Sequence, residues 1–413
     1  MIQILIFLSL VFLYSLISKR VERSVITGPM VFALAGIGAF FVAPAISAYF
    51  PELSSILTIA NPTILVIGEL TLAVILFSDA TRINFRGTIA ENILPGRLLG
   101  IGMPLTILAG ALVAIILIPD LPVWEAAILA TVLAPTDASL GAAVVESKLV
   151  PPRIREALTV ESGLNDGLSM PFLVLFIALA GFELHGSGQP WLIFAAQQIG
   201  FGVLVGLAIG WVGGKLIPPF VRRGWIAEGA KPIAMLSLAI LAWLAADALG
   251  GNGFIAAFVA GGALRMGYAH ADKHMDEFME GGGDLLIYFV FFYFGLVAAP
   301  WLAYITPTVW LYGILSLTLV RMLPVALSMR GAKLQPASIL FMGWFGPRGL
   351  ASIVLGLIYL EELSVISVNP VILLAMIATV LLSILAHGIS ANPAIRFYAR
   401  RMDKLEPDAP EFA

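Results

Sequence analysis

The segment ALTVESGLNDGLSMPFLVLFIALA, residues 157–180, is apolar along most of its length but carries two carboxylates, Glu161 and Asp166. It is long enough to cross a bilayer, whose hydrocarbon core is about 30 Å thick and needs about 20 apolar residues in a helix. Ionisable side chains are costly and rare inside a membrane, so an acidic pair there indicates a functional site. The segment therefore predicts both a membrane-spanning helix and a site within it.

The composition extends this prediction to the whole chain. Of its 413 residues, 60% are hydrophobic and only 12% are charged, and the mean hydropathy is +0.99. Soluble domains carry about 25% charged residues, so this chain has too much apolar surface for a water-soluble fold. The absence of cysteine excludes disulfides and thiolate sites, and a net charge of −3 gives no reason to expect a nucleic-acid partner.

Similar apolar segments recur along the chain and predict an all-α polytopic membrane protein with 13 transmembrane helices. The first segment lacks the basic start and small-residue cleavage site of a signal peptide, so we expect it to be a retained span. The predicted spans are 1–18, 26–49, 60–79, 98–118, 124–145, 157–180, 191–214, 231–249, 252–267, 282–299, 307–328, 336–359 and 369–391.

The basic residues predict the orientation of these spans. Among the 23 Lys and Arg residues, Arg321 and Arg348 lie within spans, and all the others fall in segments on one side of the predicted topology. Cytoplasmic loops are enriched in Lys and Arg. We therefore expect an N-terminus outside and a C-terminus in the cytoplasm, in the inner membrane of a bacterium. Residues 80–97 and 268–281 are expected at the cytoplasmic interface.

Two spans are interrupted near their middle by a proline and a charged residue. Span five contains Pro135-Thr136-Asp137, and span twelve, which runs in the opposite direction, contains Gly346-Pro347-Arg348-Gly349. Interrupted helices at matching positions of two inverted halves indicate the binding site of a secondary transporter. The sequence thus predicts two inverted six-helix repeats, spans 1–6 and 8–13, that are joined by span 7.

Asp166 is the residue most suited to ion exchange. It lies near the middle of span six, where burial disfavours the charged form of a carboxyl group, so it can exchange a proton for a cation. Ser162 lies four residues earlier on the same helix face and offers a hydroxyl oxygen. Proline frees backbone carbonyls in span five, and Thr136 adds a hydroxyl to them. Asp137 can neutralise the positive end of the resumed half-helix, and Asn165 can orient the ligands.

Glu161 needs a cationic partner, because a lone buried carboxylate is unfavourable. Arg348 is the first candidate and Arg321 is the other, and a purely structural Glu161–Arg348 pair is about as well supported as a direct transport role. Glu69 and Asp79 in span three are secondary candidates. For both of them, as for Asp284 at the start of span ten, structural or interfacial roles are favoured over cation binding.

Three motifs together resemble one family. Glu161-Ser162-Gly163-Leu164-Asn165-Asp166 resembles the E-S-x-x-N-D signature of the monovalent cation:proton antiporters of the NhaP and eukaryotic sodium/proton-exchanger type. Pro135-Thr136-Asp137 resembles their unwound P-T-D helix, and Gly346-Pro347-Arg348-Gly349-Leu350-Ala351 resembles their G-x-R-G-A segment. Two departures are the extra Leu350 and the segment Phe77-Ser78-Asp79, where many members place an acidic residue directly after the phenylalanine.

The resemblance implies a homodimer that works by elevator-like alternating access, with a cation and a proton competing at Asp166. It implies cation ligation by Thr136, Asp137 and Ser162, an orienting role for Asn165 and a Glu161–Arg348 pair. It also implies electroneutral exchange. The choice of ion does not follow from the resemblance, because sodium, lithium and potassium members share these motifs; we expect Na⁺, with K⁺ and Li⁺ as alternatives. The domains that it implies are dimerisation helices in 1–97, core helices in 98–181, a linker helix and dimerisation helices in 182–306, core helices in 307–395 and a cytoplasmic tail in 396–413.

Two other classes of function are alternatives to this one. A cation channel would need a pore and no proton-coupled carboxylate. An intramembrane enzyme would need paired catalytic aspartates, a metal-binding motif or a serine with a histidine partner, and the chain offers none of these motifs; His387 is its only histidine well inside a span. We therefore expect a transporter without a cofactor, whose partners are a monovalent cation, a proton and the lipid bilayer.

Overall fold

The computed structural model describes residues 2–21, 25–49, 62–82, 93–185, 191–227, 229–267, 273–361, 369–406 and 409–412, and these residues form helices and short connections with no strand among them. The predicted interfacial residues 83–92 and 268–272 lie outside the described residues.

Each predicted span coincides with one helix or with two consecutive shorter helices. In chain order the helices are α1 (Ile2–Val21), α2 (Gly28–Tyr49), α3 (Pro62–Arg82), α4 (Ile93–Leu117), α5 (Val123–Val132), α6 (Ala138–Val145), α7 (Pro152–His185), α8 (Trp191–Arg222), α9 (Ala230–Ala248), α10 (Gly253–Gly267), α11 (Lys273–Ala298), α12 (Pro307–Leu317), α13 (Leu319–Ser328), α14 (Pro336–Trp344), α15 (Leu350–Glu361) and α16 (Pro370–Met402).

Within the described ranges, seven helical segments are long and apolar enough to cross a membrane. They are α4, α7, α8, α9, α16, the joined pair α12–α13, and the part of α11 from Gly283 together with the 3₁₀ turn that follows it to Tyr304. The chain is therefore a multi-pass membrane protein, and the count of 13 spans stays a prediction.

The last helix is longer than the sequence predicted. The predicted span 369–391 and the tail from 396 leave no helix beyond 391, whereas α16 continues to Met402. Pro393 does not end this helix, and the basic side chains of Arg400 and Arg401 lie in its last turn, where they stabilise the negative end of the helix dipole.

Helix α8 packs closely on α10 because glycine recurs every fourth residue along their contact. A Cβ atom at Gly202 would lie 2.8 Å from the carbonyl oxygen of Asn252, and one at Gly206 would lie 2.5 Å from that of Ala256. Gly210 approaches Ala260 in the same way. Small residues at this spacing let helix backbones touch, which is a common basis of packing in membranes. The domain boundaries given above remain a prediction.

The segment after α16 folds back onto the start of α14. Glu411 is fully buried, and its Oε1 accepts hydrogen bonds from the Gln335 backbone N–H at 2.6 Å and the Ser338 hydroxyl at 3.0 Å. Gln335 itself provides no side-chain cap for this helix. The Arg153 guanidinium at the start of α7 donates to the Pro410 carbonyl at 2.5 Å. Glu411 thus caps α14 from a distant part of the chain.

We expect Glu411→Ala to lower the free energy of unfolding by about 1–2 kcal/mol, because it removes the only side-chain cap seen on this end of α14. Thermal unfolding of the detergent-solubilised protein measures the loss. Asp403→Ala is the matched control, since Asp403 is an exposed acid close by in the chain. Equal melting temperatures for the two variants would contradict the capping role.

Candidate functional site

Two interrupted helices cross at the centre of the site. Helix α5 ends at Val132 and α6 begins at Ala138, while α14 ends at Trp344 and α15 begins at Leu350. Each gap contains a proline, Pro135 or Pro347, which cannot donate a backbone hydrogen bond to continue the helix. The two unwound segments bind each other directly, because the Asp137 N–H donates to the Pro347 carbonyl at 2.8 Å.

The two unwound segments lie so close together that the one between α14 and α15 requires glycine at two positions. A Cβ atom at Gly349 would collide with the Asp137 carboxylate, and one at Gly346 would collide with the Arg321 guanidinium. Glycine therefore serves here by leaving room for charged groups to approach the backbone.

Asp137 caps two helices at once. Its Oδ1 accepts from the Ser139 N–H at 2.7 Å, the Ser139 hydroxyl at 2.6 Å and the Leu140 N–H at 3.3 Å, all at the start of α6. Its Oδ2 accepts from the Leu350 N–H at 2.6 Å, at the start of α15. The carboxylate thus lies at the positive ends of both resumed half-helices. This is the placement that the sequence predicted with respect to α6.

Arg348 lies at the negative, C-terminal end of α5, whereas Asp137 lies at the positive ends of α6 and α15. Its guanidinium donates to the carbonyls of Ala134 and Pro135, with 2.9 Å to Pro135, so it satisfies acceptors that the break after α5 leaves without helical partners. Its own backbone N–H donates to the Ser383 hydroxyl of α16 at 2.6 Å. Arg348 is fully buried.

The predicted Glu161–Arg348 ion pair is wrong, because the structure pairs Glu161 with Arg321. Arg321 Nη1 and Nη2 donate to the two oxygens of Glu161 at 2.5 and 2.7 Å, and both side chains are only 2% exposed. The physical reason is that Arg348 is held by the free carbonyls of the first broken helix, whereas Arg321 on α13 faces Glu161 on α7 in a two-point contact.

The predicted cation ligands lie together around the first break. The Asn165 side-chain amide donates to the Thr136 hydroxyl at 2.7 Å, and this hydroxyl lies 3.1 Å from that of Ser162. Asp166 is 7% exposed, and its buried Oδ1 accepts no hydrogen bond from the described residues. Among the described carboxylates around the crossing, Asp166 is the one with a buried oxygen that accepts no hydrogen bond.

A cavity of about 300 Å³ reaches these residues, and Asp137, Ser162 and Asp166 line it. Asp79 of α3 and Asp284 of α11 also line it. Glu146 at the end of α6 also lines the cavity, whereas the half-buried Glu69 does not. The cavity therefore reaches the C-terminal ends of α3 and α6, which lie close in the chain to the basic residues Arg82 and Lys148.

The sequence placed Asp284 and Asp79 among structural or interfacial acids, but both face the same cavity as Asp166. The sequence did place both residues near the ends of predicted spans on the same side of the membrane. It could not place them in one cavity, because it does not show which spans are neighbours.

Comparison with known proteins agrees with this geometry. Residues 6–396 match the profile of the transmembrane region of sodium/hydrogen exchangers. A probable Na⁺/H⁺ antiporter of Schizosaccharomyces pombe is 28% identical over 62% of this chain, and the match covers 35% of that protein. The K⁺/H⁺ antiporter NhaP of Alkalimonas amylolytica is 25% identical over 73% of this chain, which is 52% of its own length. The chain thus spans about a third to a half of these relatives.

Among solved structures, the sodium proton antiporter MjNhaP1 of Methanocaldococcus jannaschii has the same fold. The two superpose with a TM-score of 0.67 at 20% sequence identity, over 91% of this chain and the whole of the other. This structural match and the family match over nearly the full length lead to one conclusion: the chain belongs to the sodium/hydrogen exchanger family.

Proposed function

We propose that the chain exchanges a monovalent cation for a proton across the membrane, with both ions competing for Asp166. The observation that carries this proposal is the unpartnered Oδ1 of Asp166, buried beside a cavity that hydroxyl groups and further acids line. The other two buried carboxylates at the crossing already have partners within the protein, Glu161 in Arg321 and Asp137 in the N–H groups at the starts of two helices.

Ser162 and Thr136 are the oxygen ligands that we assign beside Asp166. Hard cations prefer oxygen ligands, and both hydroxyls lie within one hydrogen-bonded group that Asn165 orients. Asp137 lines the same cavity, but its two oxygens already accept four hydrogen bonds, so its contribution to cation binding is mainly its charge.

The exchange that we propose is electroneutral and one for one, in a homodimer that alternates access by an elevator-type movement of the core helices. The cavity supplies access from the side of the basic segments, which we assign to the cytoplasm. We propose Na⁺ as the first candidate ion. The relatives' names include both Na⁺ and K⁺, so K⁺ and Li⁺ stay in the test.

Reconstitution into proteoliposomes that contain a pH-sensitive dye tests this function. Adding Na⁺, K⁺ and Li⁺ in turn to vesicles with an imposed proton gradient is expected to dissipate the gradient with at least one of them. Current without proton movement would instead establish a channel, and no ion-dependent proton movement with any of the three cations would overturn the proposal.

Competition at one carboxylate makes a quantitative prediction about pH. At low pH a proton occupies Asp166 and excludes the cation, so exchange falls on the acidic side. Because the two ligands compete, a tenfold rise in cation concentration is expected to move this acidic limb about one pH unit lower. Initial exchange rates over a grid of pH and cation concentration measure the shift.

An imposed membrane potential is the control for this experiment, since one-for-one exchange moves no net charge and its rate is expected to stay constant. An acidic limb that does not move with cation concentration, or a rate that follows the potential, would contradict single-site competition. Such a result would require a second titrating group.

A further inference from the structure

The second broken helix is tied to α16 at its last residue, Trp344. The His387 imidazole Nε2 lies 2.9 Å from the Trp344 carbonyl, and the Trp344 indole N–H donates to the Ser390 hydroxyl at 2.9 Å. The two rings also pack together, with centroids 5.1 Å apart. The end of α14 is therefore held by α16 as well as by the crossing.

The other imidazole nitrogen faces Ser383, one turn earlier on α16. His387 Nδ1 lies 3.2 Å from the Ser383 hydroxyl and 3.0 Å from the Ser383 backbone carbonyl, and the hydroxyl itself accepts the Arg348 N–H at 2.6 Å. Because this hydroxyl already accepts a hydrogen bond from Arg348, its own proton is free for Nδ1. One chain of hydrogen bonds thus runs from Arg348 N–H to Ser383, from Ser383 to His387 Nδ1, and from His387 Nε2–H to Trp344.

Nδ1 faces a hydroxyl that can donate as well as a carbonyl, whereas Nε2 faces a carbonyl alone among the described residues, so a neutral imidazole fits these contacts best with its proton on Nε2. His387 is 1% exposed, and the two buried arginines Arg348 and Arg321 are the charged groups that act on it. An imidazolium would add a buried positive charge close to these two arginines, which is unfavourable. Carbonyls at the end of a helix need donors, and neutral Nε2–H supplies one without adding charge.

We propose that His387 is a positioning residue for the exchange reaction. Its side chain holds the end of α14 directly and holds the backbone of Arg348 through Ser383, so that both stay aligned with the unwound segment between α5 and α6. This inference rests on the proposed exchange at Asp166. His387 would affect exchange by fixing the positions of the site residues, since a displacement of about 1 Å of a reacting group can lower turnover by about a hundredfold.

Three variants test the role. His387→Gln keeps a donor for the Trp344 carbonyl, whereas His387→Leu removes both hydrogen bonds and Ser383→Ala removes the link to Arg348. We expect His387→Leu and Ser383→Ala to lower the maximal exchange rate at least tenfold or so, and His387→Gln to stay within about threefold of the unmodified protein. The acidic limb of the pH profile is expected to stay in place in all three.

Thr379→Val is the matched control, because Thr379 is a fully buried residue of the same helix whose hydroxyl bonds only to the Ala375 carbonyl of α16 in the structure. Its exchange rate is expected to match that of the unmodified protein. Full activity of His387→Leu, or a shifted acidic limb in His387→Gln, would overturn the proposal. If His387→Leu does not fold, the other two variants test the proposal: equal exchange rates for His387→Gln and Ser383→Ala would overturn it.

Nitrogen-15 NMR of protein labelled at histidine gives a readout that does not depend on transport. The His387 signals, assigned by their loss in His387→Gln, are expected to show the neutral tautomer with the proton on Nε2 across the pH range of exchange. A charged imidazole or the other tautomer would overturn the inference. Exchange that is absent in the unmodified protein would instead defeat the proposed function.

Discussion

Asp166→Asn is expected to eliminate cation–proton exchange while leaving the melting temperature of the protein unchanged or raised. Asparagine has nearly the same shape but can neither release a proton nor neutralise a cation. Asp166 Oδ1 accepts no hydrogen bond from the described residues, so the substitution leaves no donor there unsatisfied and removes the cost of a buried charge. Dye-based exchange in proteoliposomes and thermal unfolding measure the two effects.

Asp284→Asn is the matched control for this prediction. Asp284 lines the same cavity but is exposed on α11, so its loss is expected to weaken cation attraction and leave exchange measurable at high cation concentration. Asp166→Asn protein that still dissipates a proton gradient on cation addition would show that the exchange site lies elsewhere.

Glu161→Gln and Arg321→Met are each expected to lower the free energy of unfolding by about 3–5 kcal/mol, because removing one partner of a buried ion pair leaves the other charge unpaired. The double variant is expected to lose less than the sum of the single losses, since residues in contact are coupled. Thermal or denaturant unfolding of the unmodified protein and the three variants completes this double-mutant cycle.

A second cycle, with Glu161→Gln and Arg348→Met, is the control. Arg348 donates to backbone carbonyls, so its coupling to Glu161 is expected to be clearly smaller than that of Arg321. Equal or stronger coupling to Arg348 would reverse the assignment made from the structure.

The broken helices and the residues around them could be predicted from the sequence because their causes are local. Pro135 and Pro347 each remove a backbone donor from the helix that contains them, and the spacing of Ser162 and Asp166 places both on one face of α7. Long apolar segments likewise predict helices at nearly the right positions, although α16 shows that a predicted end can miss three turns.

The partner of Glu161 could not be predicted in this way. Arg321 and Arg348 are both single arginines inside spans, and only the three-dimensional arrangement shows that carbonyls freed by one break already occupy Arg348. His387 and Glu411 were missed for the same reason, because each caps the helix α14 from a position more than 40 residues away in the chain. The break of span eleven at Thr318, where no proline stands, was not predicted either.

For the exchange proposed above, the pairing of charges at the crossing favours a monovalent ion. Glu161 cancels Arg321, and the single charges of Asp137 and Arg348 offset each other, so the sum over these five side chains is the charge of Asp166 alone. That sum is −1 when Asp166 is empty and zero when it holds a proton or a monovalent ion. A divalent ion would leave a net charge of +1, which hydrocarbon disfavours as strongly as the empty state. Discrimination against Ca²⁺ and Mg²⁺ would then come from this charge count, without any need for a size filter.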